Sequence, residues 1–216
     1  MKAIILSAGQ GRRLLPLTAD KPKSAIAVLD RSVLEWQLGE IAQCAVDEVV
    51  VVTGFAADVI DDIARRQTAV KVRTLYNPFF AQCDNLGTCW IARHEMQGDF
   101  IIVNGDTLFE AAIMRRLLAT DVGAAVTLAG ESIGMMCFRR EGGARFTAQL
   151  DHMMRYGTGL KQWYLAAVDK LADDGLVATC PIDGLSWCEI DDRADLERAA
   201  RVVSAWYPAR GVSAAG

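Results

Sequence analysis

"AIILSAGQGRRLLPLTADKPKS", residues 3 to 24, joins a short apolar run, Ala3 to Leu6, to a loop with glycines at 9 and 11, arginines at 12 and 13 and lysines at 21 and 23. An apolar run that breaks into glycine reads as a strand entering a turn. Without a Cβ, glycine accepts the turn conformations that aim backbone N–H groups at an anion. Four clustered cations repel one another unless a polyanion is shared among them, and phosphate is the natural occupant. Two familiar phosphate loops fit poorly: no Gly-Lys-Ser or Gly-Lys-Thr follows, and Gly9, Gly11 and Leu14 leave GxGxxG incomplete. The plain alternative is a turn with solvated charges.

Working outward, short β-branched runs alternate with stretches of helical period, the pattern of a parallel α/β sheet. Strands are expected at Ala3 to Leu6, Glu48 to Thr53, Val70 to Tyr76 and Phe100 to Asn104. Leu34, Leu38, Ile41, Ala42 and Ala45 recur at helical spacing after Ser32, a suitable N-cap. Val59, Ile60, Ile63 and Ala64 mark a second helix, and Leu86 to Met96 a third. Further on, the pattern predicts a helix from Gln162 to Leu171, a strand near Leu176 to Cys180 and a helix from Ala194 through Val203, with a frayed tail after Pro208. The fold class is thus a Rossmann-like, mostly parallel open sheet with helices on both faces and a small C-terminal part. In such sheets ligands bind at the carboxyl ends of the strands.

Composition narrows the function classes. The 216 residues are 52% hydrophobic with a formal net charge of −4, so one core is expected and no global basic field for nucleic acid exists. Six cysteines, at 44, 83, 89, 137, 180 and 188, show no metal-type spacing and read as reduced thiols of a cytoplasmic protein. No apolar run approaches the length of a membrane span.

LSAGQGRRLLPLT followed by KPKS resembles the signature LxAGxGxRLxPLT…PK of the sugar-nucleotidyltransferase superfamily. IIVNGDTLFE, 101 to 110, resembles that family's second landmark, a strand ending in Gly-Asp. YNPFFAQCDNLGTCWIAR, 76 to 93, and LSWCEIDDRADLERA, 185 to 199, resemble the branch that transfers CMP to phospho-alcohols or phosphonates, typified by phosphocholine cytidylyltransferase. The resemblance implies a single domain, 1–216, with a nucleotide-binding core over 1–121 and an acceptor-binding, metal-completing part over 122–216. It implies CTP and a small phosphorylated acceptor as partners, pyrophosphate as leaving group and Mg²⁺ as cofactor. Neither nucleic acid nor membrane is an expected partner, and oligomeric state stays open.

By the same resemblance Arg13 and Lys23 are the catalytic cations. Leu6, Ala8, Gly9, Gly11, Asn85, Thr88 and Gly105 would hold the nucleotide and Glu131 the acceptor; Trp163, Tyr164 and Trp187, in the C-terminal part where the acceptor would bind, suit a cation–π cage for a quaternary ammonium, against the plainer reading that most aromatics are core. Asp106, Glu189 and Asp191 would hold Mg²⁺: the later pair, two apart on an extended segment, point to one side. Plainer roles stand beside these. Asp106 suits a turn cap, Glu189 and Asp191 the acidic start of a helix capped by Asp192 or Asp195, and Asn85 a helix N-cap. His94 and His152 lack a ligand-spaced partner and read as surface residues.

One departure stands out. Between Val126 and Glu131 the chain runs VTLAGE, where the resembled enzymes carry an added segment with a lysine that reaches the acceptor phosphate; GESIGMMCF then resumes the pattern. Two rival functions remain: a hexose-1-phosphate nucleotidyltransferase, or a nucleotide-binding module of the same fold without turnover.

Overall fold

The computed structural model describes residues 1–121, 123–130, 132–157 and 159–207. In chain order its strands are β1 (Lys2–Ser7), β2 (Ala27–Val28), β3 (Arg31–Ser32), β4 (Glu48–Thr53), β5 (Lys71–Tyr76), β6 (Phe100–Asn104), β7 (Thr107–Phe109), β8 (Val126–Ala129), β9 (Met135–Phe138), β10 (Val177–Cys180) and β11 (Trp187–Glu189). The helices are α1 (Val33–Ile41), α2 (Ala57–Arg66), α3 (Asn85–Ala92), α4 (Ala111–Ala119), α5 (Gly142–Tyr156), α6 (Leu165–Asp173) and α7 (Arg193–Trp206). Seven strands form one sheet in the order β10-β8-β9-β6-β1-β4-β5.

β1 runs parallel to β4 and β6, and β4 to β5. Among the described strands of this seven-stranded sheet, β9 alone runs against its neighbours, β6 and β8. The reason is local: only residues 130–134 separate β8 from β9, and so short a link permits only an antiparallel pair. Both faces of the sheet are covered, which is why its central strands read as unbroken apolar runs. Ala3, Ile5, Val49 and Val51 pack with α1, α2 and α4 on one face. Ile4, Val52, Ile102 and Met136 pack with α3, α5 and α6 on the other.

The expected strands and most expected helices fall where the periodicity puts them. Ser32 caps α1 through a reciprocal bond pair with Glu35, although the helix stops at Ile41, short of the apolar stripe that runs to Ala45. The third helix likewise ends at Ala92 and tightens into a 3-10 turn, Arg93–Glu95. α4 and α5 are additions. α5 opens on Gly142-Gly143, which reads as a break, but here the lack of side chains permits contact: a Cβ at Gly142 would stand 2.1 Å from the Ala125 carbonyl oxygen. The tail after Pro208 lies outside the described residues.

A third core lies beside the sheet. Leu14, Ile26, Val28, Trp36, Leu108, Cys188, Ile190, Ala199 and Val203 pack together beneath α7. This cluster draws the glycine loop, the short β7–β11 ladder and the last helix to the carboxyl edge of the sheet. No described helix is long and apolar enough to cross a membrane, and all six cysteines are free thiols.

Candidate active site

The loop after β1 is held from within. Gly11 adopts φ 77° and ψ 53°, a left-handed conformation, as it enters the 3-10 turn Arg12–Leu14. A Cβ there would stand 2.8 Å from Lys23 Cβ, so glycine is required both by the turn and by the approach of the lysine. The Thr18 hydroxyl donates to Gly11 O at 3.0 Å, and Gln10 Nε2 donates to Thr18 O at 3.1 Å. Leu14, fully buried, anchors the turn in the third core.

The β7–β11 ladder brings the distant acidic residues in. Glu189 is the register partner of Thr107, and Ile190 N–H donates to Asp106 O at 3.1 Å. The acidic run then divides. Asp192 caps α7 by accepting from Asp195 N–H, while Asp195 accepts from the N–H groups of Asp191 and Asp192. Capping consumes Asp192 and Asp195 and leaves the carboxylates of Glu189 and Asp191 facing the cleft.

Lys23 Nζ lies 2.7 Å from Asp106 Oδ2 and 2.9 Å from Asp191 Oδ1. Arg13 donates to the same Asp191 oxygen at 2.8 Å. The mutual repulsion expected of the cationic loop is therefore relieved inside the protein, by carboxylates brought from sequence positions far away. Burial works against the Lys23 charge, but Asp106 and Asp191 outweigh it and hold the ammonium above its ordinary value. Glu189 is shifted the other way. Burial, then the charges of Asp106 and Asp191, push its carboxyl above the usual range, with Lys23 offsetting part of the effect.

These groups line a cleft of about 490 Å³. With Arg13, Lys23, Asp106, Glu189 and Asp191 it gathers Leu6, Ala8, Gly9, Gly11, Asn85, Thr88, Gly105, Trp163 and Tyr164. Gly105 N–H is already engaged by Leu6 O at 3.0 Å, so that residue offers close approach rather than a free donor. Asn85 is the first residue of α3 and not its cap; its side-chain oxygen accepts from Tyr164 N–H at 2.8 Å, leaving the amide NH₂ as the end available to a ligand. Glu131 lies outside the described residues.

The aromatic cage does not assemble. Trp163 stands at the cleft rim, 66% exposed. Tyr164 is 1% exposed, edge-on to Phe146, with its hydroxyl donating to Asn104 Oδ1 at 3.1 Å. Trp187 does not line the cleft. It pairs in register with Phe109, two residues down the strand from Glu189 and so more than 6 Å farther along. His94 and His152 are exposed, as expected.

The cleft also contains residues the motifs did not mark, among them Ser7, Ser24, Phe80, Cys83, Asn104 and Ser132. Asn104 had a usable signal, since it precedes Gly-Asp at a strand end. Ser132 had none: it enters through the β8–β9 turn, where it adopts φ 74°. Asn77 shapes the opposite wall from behind, fully buried and bonded to Thr88 Oγ1, Cys83 Sγ and Phe79 N–H.

Asp106 Oδ1 is buried without a hydrogen-bond partner among the described residues, while its other oxygen is held by Lys23. Carboxylate oxygens are the donors a hard divalent cation takes, so Asp106 with Glu189 and Asp191 suits one in chemistry. The spacing is open, for no described group of three acidic, His or Cys side chains is drawn tightly enough to enclose a metal by itself.

Sheet order, helices on both faces and a cleft at the strand ends define the α/β nucleotidyltransferase fold. The phosphocholine cytidylyltransferase of Streptococcus pneumoniae superposes with TM-score 0.77 at 16% identity, over 94% of this chain and 98% of its own. The inositol-1-phosphate CTP transferase of T. maritima gives TM-score 0.78 at 16% identity, over 98% and 97%. The family model for nucleotidyl transferase matches residues 2–130, and the protein belongs to that family.

Its curated relatives include cytidylyltransferases. CMP-5'-(3-aminopropyl)phosphonate synthase of Streptomyces rubellomurinus is 28% identical over 239 residues, covering 92% of this chain and 38% of the relative. CTP:phosphoglutamine cytidylyltransferase of Campylobacter jejuni is 37% identical over 126 residues, 55% of this chain and 48% of the relative. The chain thus spans half or less of the length of these relatives. The 239-residue match is longer than the chain itself, so that relative carries insertions that this chain lacks.

Proposed function

We propose that the protein transfers CMP from CTP to a small phosphorylated alcohol or a phosphonate. An oxygen of the acceptor attacks the α-phosphorus in line, the bond to the β-phosphate oxygen breaks, and pyrophosphate leaves. The observation that carries the reading is the ion cluster at the carboxyl edge, where Arg13 and Lys23 meet Asp106 and Asp191 beside a glycine loop. In phosphoryl chemistry of this kind the protein contributes mainly position and charge neutralisation.

Arg13 and Lys23 hold phosphate oxygens and stabilise the charge that grows in transfer. Asp106, Glu189 and Asp191 would hold Mg²⁺, which supplies further charge neutralisation when bound. The NH₂ of Asn85 donates to an acceptor atom on the base. In this reading residues 1–121 carry the nucleotide and 122–216 complete the metal site and carry the acceptor. The cytidylyl preference is supported by the named relatives and by the likeness of the 76 to 93 stretch to that branch.

The test is pyrophosphate release over a grid of four nucleoside triphosphates against phosphocholine, 2-aminoethylphosphonate, phosphoethanolamine and glucose 1-phosphate, each with Mg²⁺ and with chelator. CTP is expected to support turnover at least about tenfold better than UTP, a gap of about 1.4 kcal/mol that one or two base-edge hydrogen bonds supply. Equal or better turnover with a purine triphosphate, or with glucose 1-phosphate as the preferred acceptor, sinks the reading.

A further inference from the structure

Lys23 stands at the point on which the acidic side chains converge. Its side chain is 16% exposed, and its Nζ is within 2.9 Å of oxygens from both Asp106 and Asp191. A divalent cation bound to those oxygens sits about 2.1 Å from each. Ammonium and metal therefore compete for one place: they need the same two atoms, and like charges at contact distance repel. We propose that Lys23 is the resting occupant of the divalent-cation site, and that Asp106 and Asp191 accept a metal only after an incoming triphosphate draws the ammonium away. The inference rests on the reading of the cleft as a site of nucleotidyl transfer.

The surroundings supply both halves of the exchange. A half-sheltered ammonium pulled from its carboxylates needs another anion, since an unpaired charge in such a place is costly. Room for that anion lies in the same cleft: a Cβ at Gly9, which lines it with Lys23, would meet no described atom within 4 Å. On the other side, Asp106 Oδ1 is buried and unpartnered among the described residues, an oxygen that the ammonium leaves unused. By linkage, triphosphate and metal each raise the other's affinity for the protein. Lys23 thereby keeps Asp106 and Asp191 from repelling the polyanion in the resting state, then moves to that polyanion.

The experiment uses Mn²⁺ alone, with no nucleotide, and follows free Mn²⁺ by electron paramagnetic resonance. Wild-type protein is expected to bind weakly, with Kd no tighter than about 1 mM, whereas Lys23→Met and Lys23→Gln bind at least about tenfold more tightly, equivalent to about 1.4 kcal/mol. Adding Asp106→Asn to either variant is expected to erase the gain. Thermal unfolding gives a second reading: Mn²⁺ raises the Tm of Lys23→Met by several degrees and leaves that of wild type nearly unmoved. Micromolar binding by wild type overturns the proposal without any variant. So does a Lys23 variant that binds no more tightly than wild type, or a gain that survives Asp106→Asn. Absence of cytidylyl transfer in the pyrophosphate assay, with the Mn²⁺ results intact, strikes the functional reading and not the competition.

Discussion

Burial, with Asp106 and Asp191 beside it, raises the Glu189 carboxyl above its ordinary value, and a raised carboxyl has a definite sign in folding. Below about pH 4.5 the group is protonated in both states and contributes nothing. As pH rises past that point the unfolded chain releases the proton more readily than the native protein, so stability falls until the native group has titrated. Glu189→Gln is therefore expected to raise Tm at pH 7 to 8 by about 2 °C, corresponding to less than about 1 kcal/mol for a chain of this size, and to match wild type near pH 4. A lower Tm for the variant at neutral pH would show that Glu189 is a structural partner. The residue-level chemistry was partly legible because it is written in short spacings: Gly-Asp after an apolar run, and two carboxylates two apart. Trp187 falls outside the cleft because a place in the C-terminal part does not fix how far along its strand a ring stands. Tyr164 misled because burial is a tertiary property. Asn104 was within reach of the same Gly-Asp signal, whereas Ser132 owes its place to a turn that no local pattern marks.

At the opposite, amino end of the sheet the strands β1, β4 and β5 begin in a charge network that the motifs did not indicate. Arg73 pairs with Glu95 and with Glu48, and Lys2 reaches Glu95 at 2.7 Å. Arg73, more than Lys2, holds Glu95 down at about 2. Here the sign is reversed: a lowered carboxyl contributes stability that is complete above about pH 4.5 and is lost as pH falls toward 2. Glu95→Gln is expected to lower Tm by about 2 to 4 °C at pH 7, the network being partly solvated, and to leave turnover unchanged, because the network is a full strand length from the cleft. A loss that persists undiminished at pH 2, or a fall in kcat, would contradict this. The pairing of 2, 48, 73 and 95 is invisible in sequence because it depends on strand order. The same holds for β7 and β11, three residues each and eighty apart, whose ladder exists because α7 and Trp36 bury Leu108, Cys188 and Ile190. The long central strands were legible because burial on both faces leaves apolar runs that need no partner to be recognised.

For the molecule as a whole, the proposed reaction depends on what would enclose an acceptor. β8 and β9 pair in register from Val126 with Phe138 to Leu128 with Met136, and only residues 130–134 separate the two strands. The turn is not idle. Gly134 O accepts from Asn104 N–H at 2.8 Å and Ile133 O from the buried Thr107 hydroxyl at 3.1 Å, which ties it to the strand end that carries Asp106. Ile133 and Gly134 are thereby fixed beside that strand end, and no lysine of this chain stands between Val126 and Gly134. The rim opposite offers one exposed ring, Trp163, instead of three. In the proposed reaction, fewer contacts and freer water on the acceptor side would weaken ground-state binding more than chemistry, since the charge of transfer would be met by Arg13 and Lys23. The acceptor KM is accordingly expected at or above about 1 mM, the upper end of the usual range, while KM for CTP stays within it. Grafting the longer segment of a cytidylyltransferase relative between Gly130 and Gly134 is expected to lower the acceptor KM by about tenfold with kcat within about threefold of wild type. Calorimetric acceptor binding in the micromolar range by the unmodified chain would refute this and assign the acceptor's phosphate to a residue already in the cleft.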